Sequence, residues 1–395
     1  MKQFLLATDA DGQDLYLTYF DRRFEEVFHC VRNSPSLAIF DESYFHRIAY
    51  GGLHLNHKTL VSWLILRSLE TTPEQTVEEL YSYINDDHVD AYQVIIVEGL
   101  YCESSDDDAS FSDKLQLSHR WHSPVRALSQ FSMQDRRYLA ESDDYILWRK
   151  ISLQKHIQEA GDSIDWKNIE KPPTIEDIED RIGLLAVVAN RGFQIAATAI
   201  IPADYVPSGN FGVSYAPHSR RTPVPLGPPV IGIQTQGAEH LFQKFSALPS
   251  TLQNRLRIPL RKYNDCLSET DLVEQAIALR VCLESLYLND GNKNELRYRL
   301  ALRSSFHIGL DPDERNHIFQ SVMACYDQAS KAVHTGTISK KNDKPDVMTT
   351  TLKTISKSIK KIICDGRMPD YDRLVLYGYP ATDTSLENDG NSEQP

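Results

Sequence analysis

The chain has 395 residues, 41% hydrophobic and 25% charged, the composition of an ordinary soluble globular protein rather than a fibrous or disordered one, and long enough for two domains. Its net charge of −13 is unevenly placed: residues 1–250 hold 22 Lys+Arg against 35 Asp+Glu, while 251–380 hold 20 against 16. An acidic front half repels polyanions, so nucleic acid is expected to meet the back half, where residues 331–361 carry eight lysines and two acids.

From the N-terminus, Met1 to Gly12 has a four-residue apolar run, too short for a secretory leader. The apolar stretch from Ile182 to Ile201 is interrupted by Asn190, Arg191, Gly192 and Gln194 and is not a membrane span. A cytoplasmic protein without membrane contact is expected. Asp14–Phe20 alternates and predicts a strand; Asp41 predicts the cap of a short helix containing Tyr44, Phe45 and Ile48. Thr72-Pro73-Glu74-Gln75 opens a helix to about Ile84, with Val77, Leu80, Tyr81 and Ile84 as its apolar face. Ala91–Cys102 is β-branched and aromatic, a buried strand, and the acidic run Glu103–Asp113 is a solvated loop. The runs IGLLAVVA and FQIAATAII around Asn190-Arg191-Gly192 predict a β-hairpin. Residues 203–229 are broken by prolines, and PVIGIQTQ predicts one more strand.

Beyond residue 240 the period becomes helical. Ser268-Glu269-Thr270-Asp271 starts a helix with Leu272, Ala276, Leu279, Leu283 and Leu286 on one face. A second runs from Glu295 to about Ile308. Asp311-Pro312-Asp313-Glu314 supplies cap, N1 proline and N3 acid for a third, and Asp346 caps a fourth that ends before Gly366. Short links predict an antiparallel bundle. The expected class is α+β: a mixed region over 1–240 with a β-hairpin, a helical bundle over 241–380, and a disordered tail over 381–395. The six cysteines form no C-x-x-C pair, which excludes a zinc ribbon and a thioredoxin-like site. His54-x-x-His57 and His119-x-x-His122 lack a third ligand, and neither a Walker A loop nor GxGxxG is present. No metal or cofactor is expected.

Four pieces in order, LRKYNDCLSETDLVEQAIALRVCLESLY, ELRYRLALRSSF, YDQASKAVHTG and DRLVLYG, resemble an Apea-like HEPN domain over about residues 250–378. Leu283-Glu284 matches the family's leucine-glutamate pair, Arg297, Arg299 and Arg303 its arginine-rich helix, and Tyr326-Asp327-x-x-Ser330-x-x-x-His334 its closing motif. The resemblance implies a metal-independent ribonuclease of the kind used in bacterial phage defence or toxin systems, with a homodimer through the bundle and RNA as partner. Cleavage by the RNA's own 2′-hydroxyl needs an imidazole to move protons and a fixed cation at the phosphate. His334 stands in its place, but Ala329 occupies the position of the motif arginine. Losing such a cation costs about 3 kcal/mol of transition-state stabilisation. Lys331, or Arg299 and Arg303 from the second helix, are the candidate replacements. Catalytic expectations therefore fall on His334, Lys331 and Glu284; nucleic-acid contacts fall on Arg299, Arg303, Lys340, Lys341, Lys353 and Lys357.

Plainer readings stand beside these. Glu284 follows Arg280 by four residues and can form an intrahelical ion pair, and His334 can serve the dipole at a helix C-terminus. The lysines can be a solvated face. If the site is otherwise intact, Ala329→Arg is expected to raise activity. The alternative function is a non-catalytic dimerisation or docking module whose N-terminal region recognises a protein partner.

Overall fold

The computed structural model describes residues 15–48, 51–53, 55–100, 109–112, 115–119, 145–159, 173–203, 206–207, 216–217, 230, 232–288, 295–337 and 345–377. It is a mixed α and β structure whose sheet pairings are antiparallel wherever their register is given. Two compact units form: Met1–Val97 with Ser104–Thr174 and Ile195–Ser219, and Glu98–Glu103 with Ile175–Gln194 and Arg220–Pro395. The chain passes between them several times rather than once near residue 240.

The first unit is built on helices α1 (Leu15–Arg32), α2 (His57–Glu70) and α3 (Pro73–Asn85) and strands β1 (Tyr44–Ile48), β2 (Gly51–Leu53), β3 (His88–Glu98), β4 (Ala109–Ser112), β5 (Leu115–His119), β6 (Tyr145–Glu159), β7 (Gln194–Pro202) and β8 (Ala216–Pro217). The sheet order is β2-β1-β6-β3-β7-β8, with β5 also on β6 and β4 beside β5. The fifteen-residue β6 is the axis, pairing with β3 over 146–154 and with β1 over 155–159. Period-two alternation divides its neighbours between two cores. Val89, Ala91, Ile151 and Leu153 pack with Leu60, Trp63, Leu80 and Tyr83 from α2 and α3, while Val94, Ile96 and Ile146 pack with Ala197, Ala199 and Ile201.

Two buried polar side chains of this unit, His46 and Lys155, have their partners in place. His46 Nε2 donates to the Ile39 carbonyl at 2.7 Å, which leaves Nδ1 to accept from the Tyr83 hydroxyl at 3.0 Å. Burial holds this imidazole neutral, with its pKa down to about 4. Lys155 donates to the carbonyls of Tyr83 and Ile84, closing the last turn of α3. Burial lowers its pKa, against the opposing pull of Asp86 and Asp87.

The second unit is helical: α4 (Glu176–Ala189), α5 (Gly232–Ser246), α6 (Ser250–Ser268), α7 (Leu272–Tyr287), α8 (Leu296–Ile308), α9 (Pro312–Thr335), α10 (Pro345–Asp365) and α11 (Tyr371–Tyr377). The four helices expected beyond residue 250 are α7 to α10; Asp271 rather than Ser268 caps α7, Ser268 closing α6, and Asp346, expected as a cap, lies within α10. Around them α4, α5 and α6 enlarge the bundle. Arg181 of α4 bonds Glu239 of α5 at 3.0 Å, Arg257 of α6 bonds Asp180 at 2.9 Å, and Ser356 of α10 donates to the Val187 carbonyl.

Four local expectations are corrected. Leu15–Phe20 of the expected strand lies in helix α1, Tyr44–Ile48 is strand β1, and most of PVIGIQTQ enters helix α5. IGLLAVVA is the second half of α4 rather than a hairpin strand. Glu176, Asp177 and Glu179 favour its N-terminus, and Asn190 ends it in the left-handed conformation at φ 53°. A helix buried on all sides has no apolar stripe, so an unbroken apolar run reads equally as strand. On α3 the cap and limits agree with expectation, but the buried residues are Thr76, Leu80 and Tyr83, while Val77 and Tyr81 are exposed. The tail beyond 377 and most of the acidic run lie outside the described residues.

Candidate functional site

The end of α9 holds the residues singled out for chemistry. Asp311 caps the helix through the Glu314 N–H at 2.8 Å, and Pro312 sits in the first turn, where its missing donor is no loss. The helix runs 24 residues and closes at Gly336, φ 64°, whose N–H bonds the Ala332 carbonyl. Period 3.6 then sorts its last turns. Val322, Cys325, Ala329 and Ala332 face inward, and Asp327, Lys331 and His334 face solvent.

Ala329 is 1% exposed and forms a small-residue contact with Ala332 and with Ala276 of α7, flanked by Val273. The position of the motif arginine is thus a seam between two helices, where their backbones approach closely, and not the lining of a groove. His334 lies in the exposed last turn, one turn beyond Lys331. Here a histidine also meets the negative end of the helix.

Glu284 is held elsewhere. Arg280 Nε donates to its Oε1 at 2.7 Å, and the Tyr326 hydroxyl donates to the same oxygen at 3.2 Å. The Arg280 guanidinium lies 5.0 Å from the Tyr326 ring centre. Burial and the Glu284 charge raise the Tyr326 pKa, and the paired carboxylate raises that of Arg280. This triad fixes α7 against α9. Tyr326 precedes His334 by eight residues, about 12 Å along the helix axis, so Glu284 and His334 are not brought together.

The expected RNA ligands divide similarly. Arg303 is buried: Nη1 donates to the Tyr287 carbonyl at 2.7 Å and Nη2 to Asp372 at 2.8 Å. It faces the interior and α11, not the His334 surface, because positions 300 to 308 of α8 are buried on most sides. Arg299 is half-buried on the same helix. Lys353 is exposed on α10; Lys357 pairs with Glu314 at 3.1 Å. Lys340 and Lys341, in the link between α9 and α10, lie outside the described residues.

No family model, curated protein or solved structure matches this chain. Residue pairing across helices was not visible in the sequence either. The Arg280–Glu284 spacing signalled its ion pair, but nothing marked Tyr326 as the third member. Arg297, read as part of an arginine-rich helix, pairs with Asp327 at 3.1 Å on the outer face of α9. Among the described residues no group of three or more His, Cys, Asp or Glu is placed to hold a metal ion. His57 Nε2 faces the Leu37 carbonyl at 3.3 Å; His54 and His122 lie outside the described residues. No helix among those residues is long and apolar enough to cross a membrane. What the end of α9 offers is an exposed imidazole and ammonium at the start of a lysine-rich stretch, with neither a guanidinium at position 329 nor a carboxylate bonded to His334 among the described contacts.

Proposed function

We propose that the helical unit is a HEPN-like module that binds RNA through its phosphates and does not cut it. The observation that carries this reading is the burial of Ala329 against Ala276, while Lys331 and His334 point outward beside it. The pieces behind the HEPN resemblance fall on helices: the end of α6 with α7, α8, the end of α9 and α11. The cations assigned to binding are Lys331 and Lys353, which flank the α9–α10 link in sequence, and Lys340 and Lys341 within it. The absence of a buried arginine at 329 favours binding over catalysis, because phosphate contacts at a surface need charge but no fixed transition-state geometry.

The test is a titration of single-stranded RNA in EDTA at two salt concentrations. With about four phosphate contacts, affinity should fall roughly fifty-fold for a fourfold rise in salt, and the RNA should remain intact. Reversing the four lysines to glutamate should remove binding. Cleavage that disappears in His334→Ala would restore the nuclease reading, and the absence of salt-dependent binding would end the RNA reading.

A further inference from the structure

Helix α10 is buried over most of its circumference. Ile355, Ile359, Ile362 and Ile363 face inward, with Thr354 and Ser358 beside them. From 350 to 363 the exposed positions are Lys353 and Lys357. Lys360 follows on the same face, because a helix returns to one side every three or four residues, and Cys364 is exposed one turn further on. There a second helix joins: Lys244 of α5 donates to Cys364 Sγ at 3.8 Å. Cations thus succeed one another at steps of roughly 5–6 Å along α10 and pass at its end to α5.

Like charges three and four residues apart repel on a helix, so the strip does not stabilise α10 by itself. Carboxylates offset part of it: Lys357 pairs with Glu314 at 3.1 Å and Lys361 with Asp365 at 3.3 Å. Among the described residues no carboxylate is bonded to Lys353, Lys360 or Lys244. Lys360 is half-buried, and burial lowers its pKa with no neighbouring carboxylate opposing the shift. An anion at that ammonium would offset the cost of its desolvation.

We propose that α10 is a track for an RNA backbone, whose phosphates run from Lys353 along the helix to Lys360 and across to Lys244 of α5. This rests on the RNA-binding function proposed above and sets how far the strand extends: past the α9–α10 link and down α10. A strand suits the strip because its charges repeat along a line. A single phosphate group would meet one or two of these lysines and leave the others uncompensated.

Titrating the full chain in EDTA with an oligouridine of about twelve nucleotides, at two salt concentrations, reads how many cations are engaged. Adding Lys360 and Lys244 to four contacts steepens the loss of affinity for a fourfold rise in salt from roughly fifty-fold to roughly three-hundred-fold. The double variant Lys360→Met, Lys244→Met removes both charges but keeps the aliphatic stems. It should bind more weakly at the lower salt and return the loss to roughly fifty-fold. A double variant with wild-type affinity and salt dependence overturns the track, while the function proposed above stands as long as reversing Lys331, Lys340, Lys341 and Lys353 removes binding. A wild type that binds no RNA removes both, and binding to phosphatidylserine vesicles in its place would assign the strip to a membrane surface instead.

Discussion

An arginine at position 329 would enter the seam where Ala329, Ala332 and Ala276 let α7 and α9 approach. It would bring both a long side chain and a charge that has no partner there. Ala329→Arg should therefore lose at least ~3 kcal/mol of stability in urea unfolding and gain no ribonuclease activity; a stable variant that cleaves RNA would reverse the assignment of this helix. The sequence placed an alanine at a motif position but could not say which way it pointed. Glu284 shows the same division. Its spacing to Arg280 was legible, yet its second contact, Tyr326, is 42 residues away. A carboxylate with two donors on one oxygen is committed to packing two helices, and its distance from His334 follows from that. Arg303, expected to face phosphate near His334, was displaced for a related reason: α8 is buried on most sides there, and the guanidinium bonds the Tyr287 carbonyl and the Asp372 carboxylate.

Helix ends were the most legible elements because capping is local chemistry. Thr72 before Pro73 and Asp311 before Pro312 each accept a backbone N–H three residues on, and Gly336 and Gly366 take the positive φ that stops a helix. The turn at Asn190 shows where local chemistry is ambiguous. An Asn-Arg-Gly turn between apolar runs serves a hairpin and a helix C-terminus alike. The choice lies in what surrounds it: Tyr263 donates to the Asn190 side chain at 2.7 Å, and Asn264 brackets Phe193 through its N–H and carbonyl. In this clasp Gly192 approaches Ser268 so closely that a Cβ would strike its backbone nitrogen. Gly192→Ala should accordingly cost about 2 kcal/mol or more in chemical denaturation, far above the few tenths expected at an open loop. An unchanged midpoint would mean that the turn does not dock on α6.

For the molecule as a whole, acid sensitivity should arise in both units. His46 in the first and His307 in the second are buried and kept neutral, each with its pKa down to about 4; for His307, burial is the main cause and Lys361 adds to it. An unfolded histidine titrates near 6.5. Between pH 6.5 and 4 the unfolded chain therefore binds more protons than the folded one, and stability falls as pH drops through that window. Each histidine contributes up to about 3 kcal/mol of loss, complete near pH 4. Urea titrations across this range should show the slope, and His46→Gln should flatten the first unit's share. A stability that is level from pH 7 to 4 would mean that these imidazoles are not buried.

The sequence by itself determined the class of the fold, the ends of several C-terminal helices and a buried strand beginning near Ala91, which runs from His88 to Glu98, since caps, prolines and residue shape act within a few positions of the chain. It also determined the charge asymmetry, which is a property of composition. Only the tertiary structure decided that IGLLAVVA is a helix, that Ala329 is interior, and that Arg303 turns toward Asp372. These outcomes depend on which apolar surfaces and unpaired donors meet across tens of residues, and burial at such contacts outweighs the local preference of any one segment.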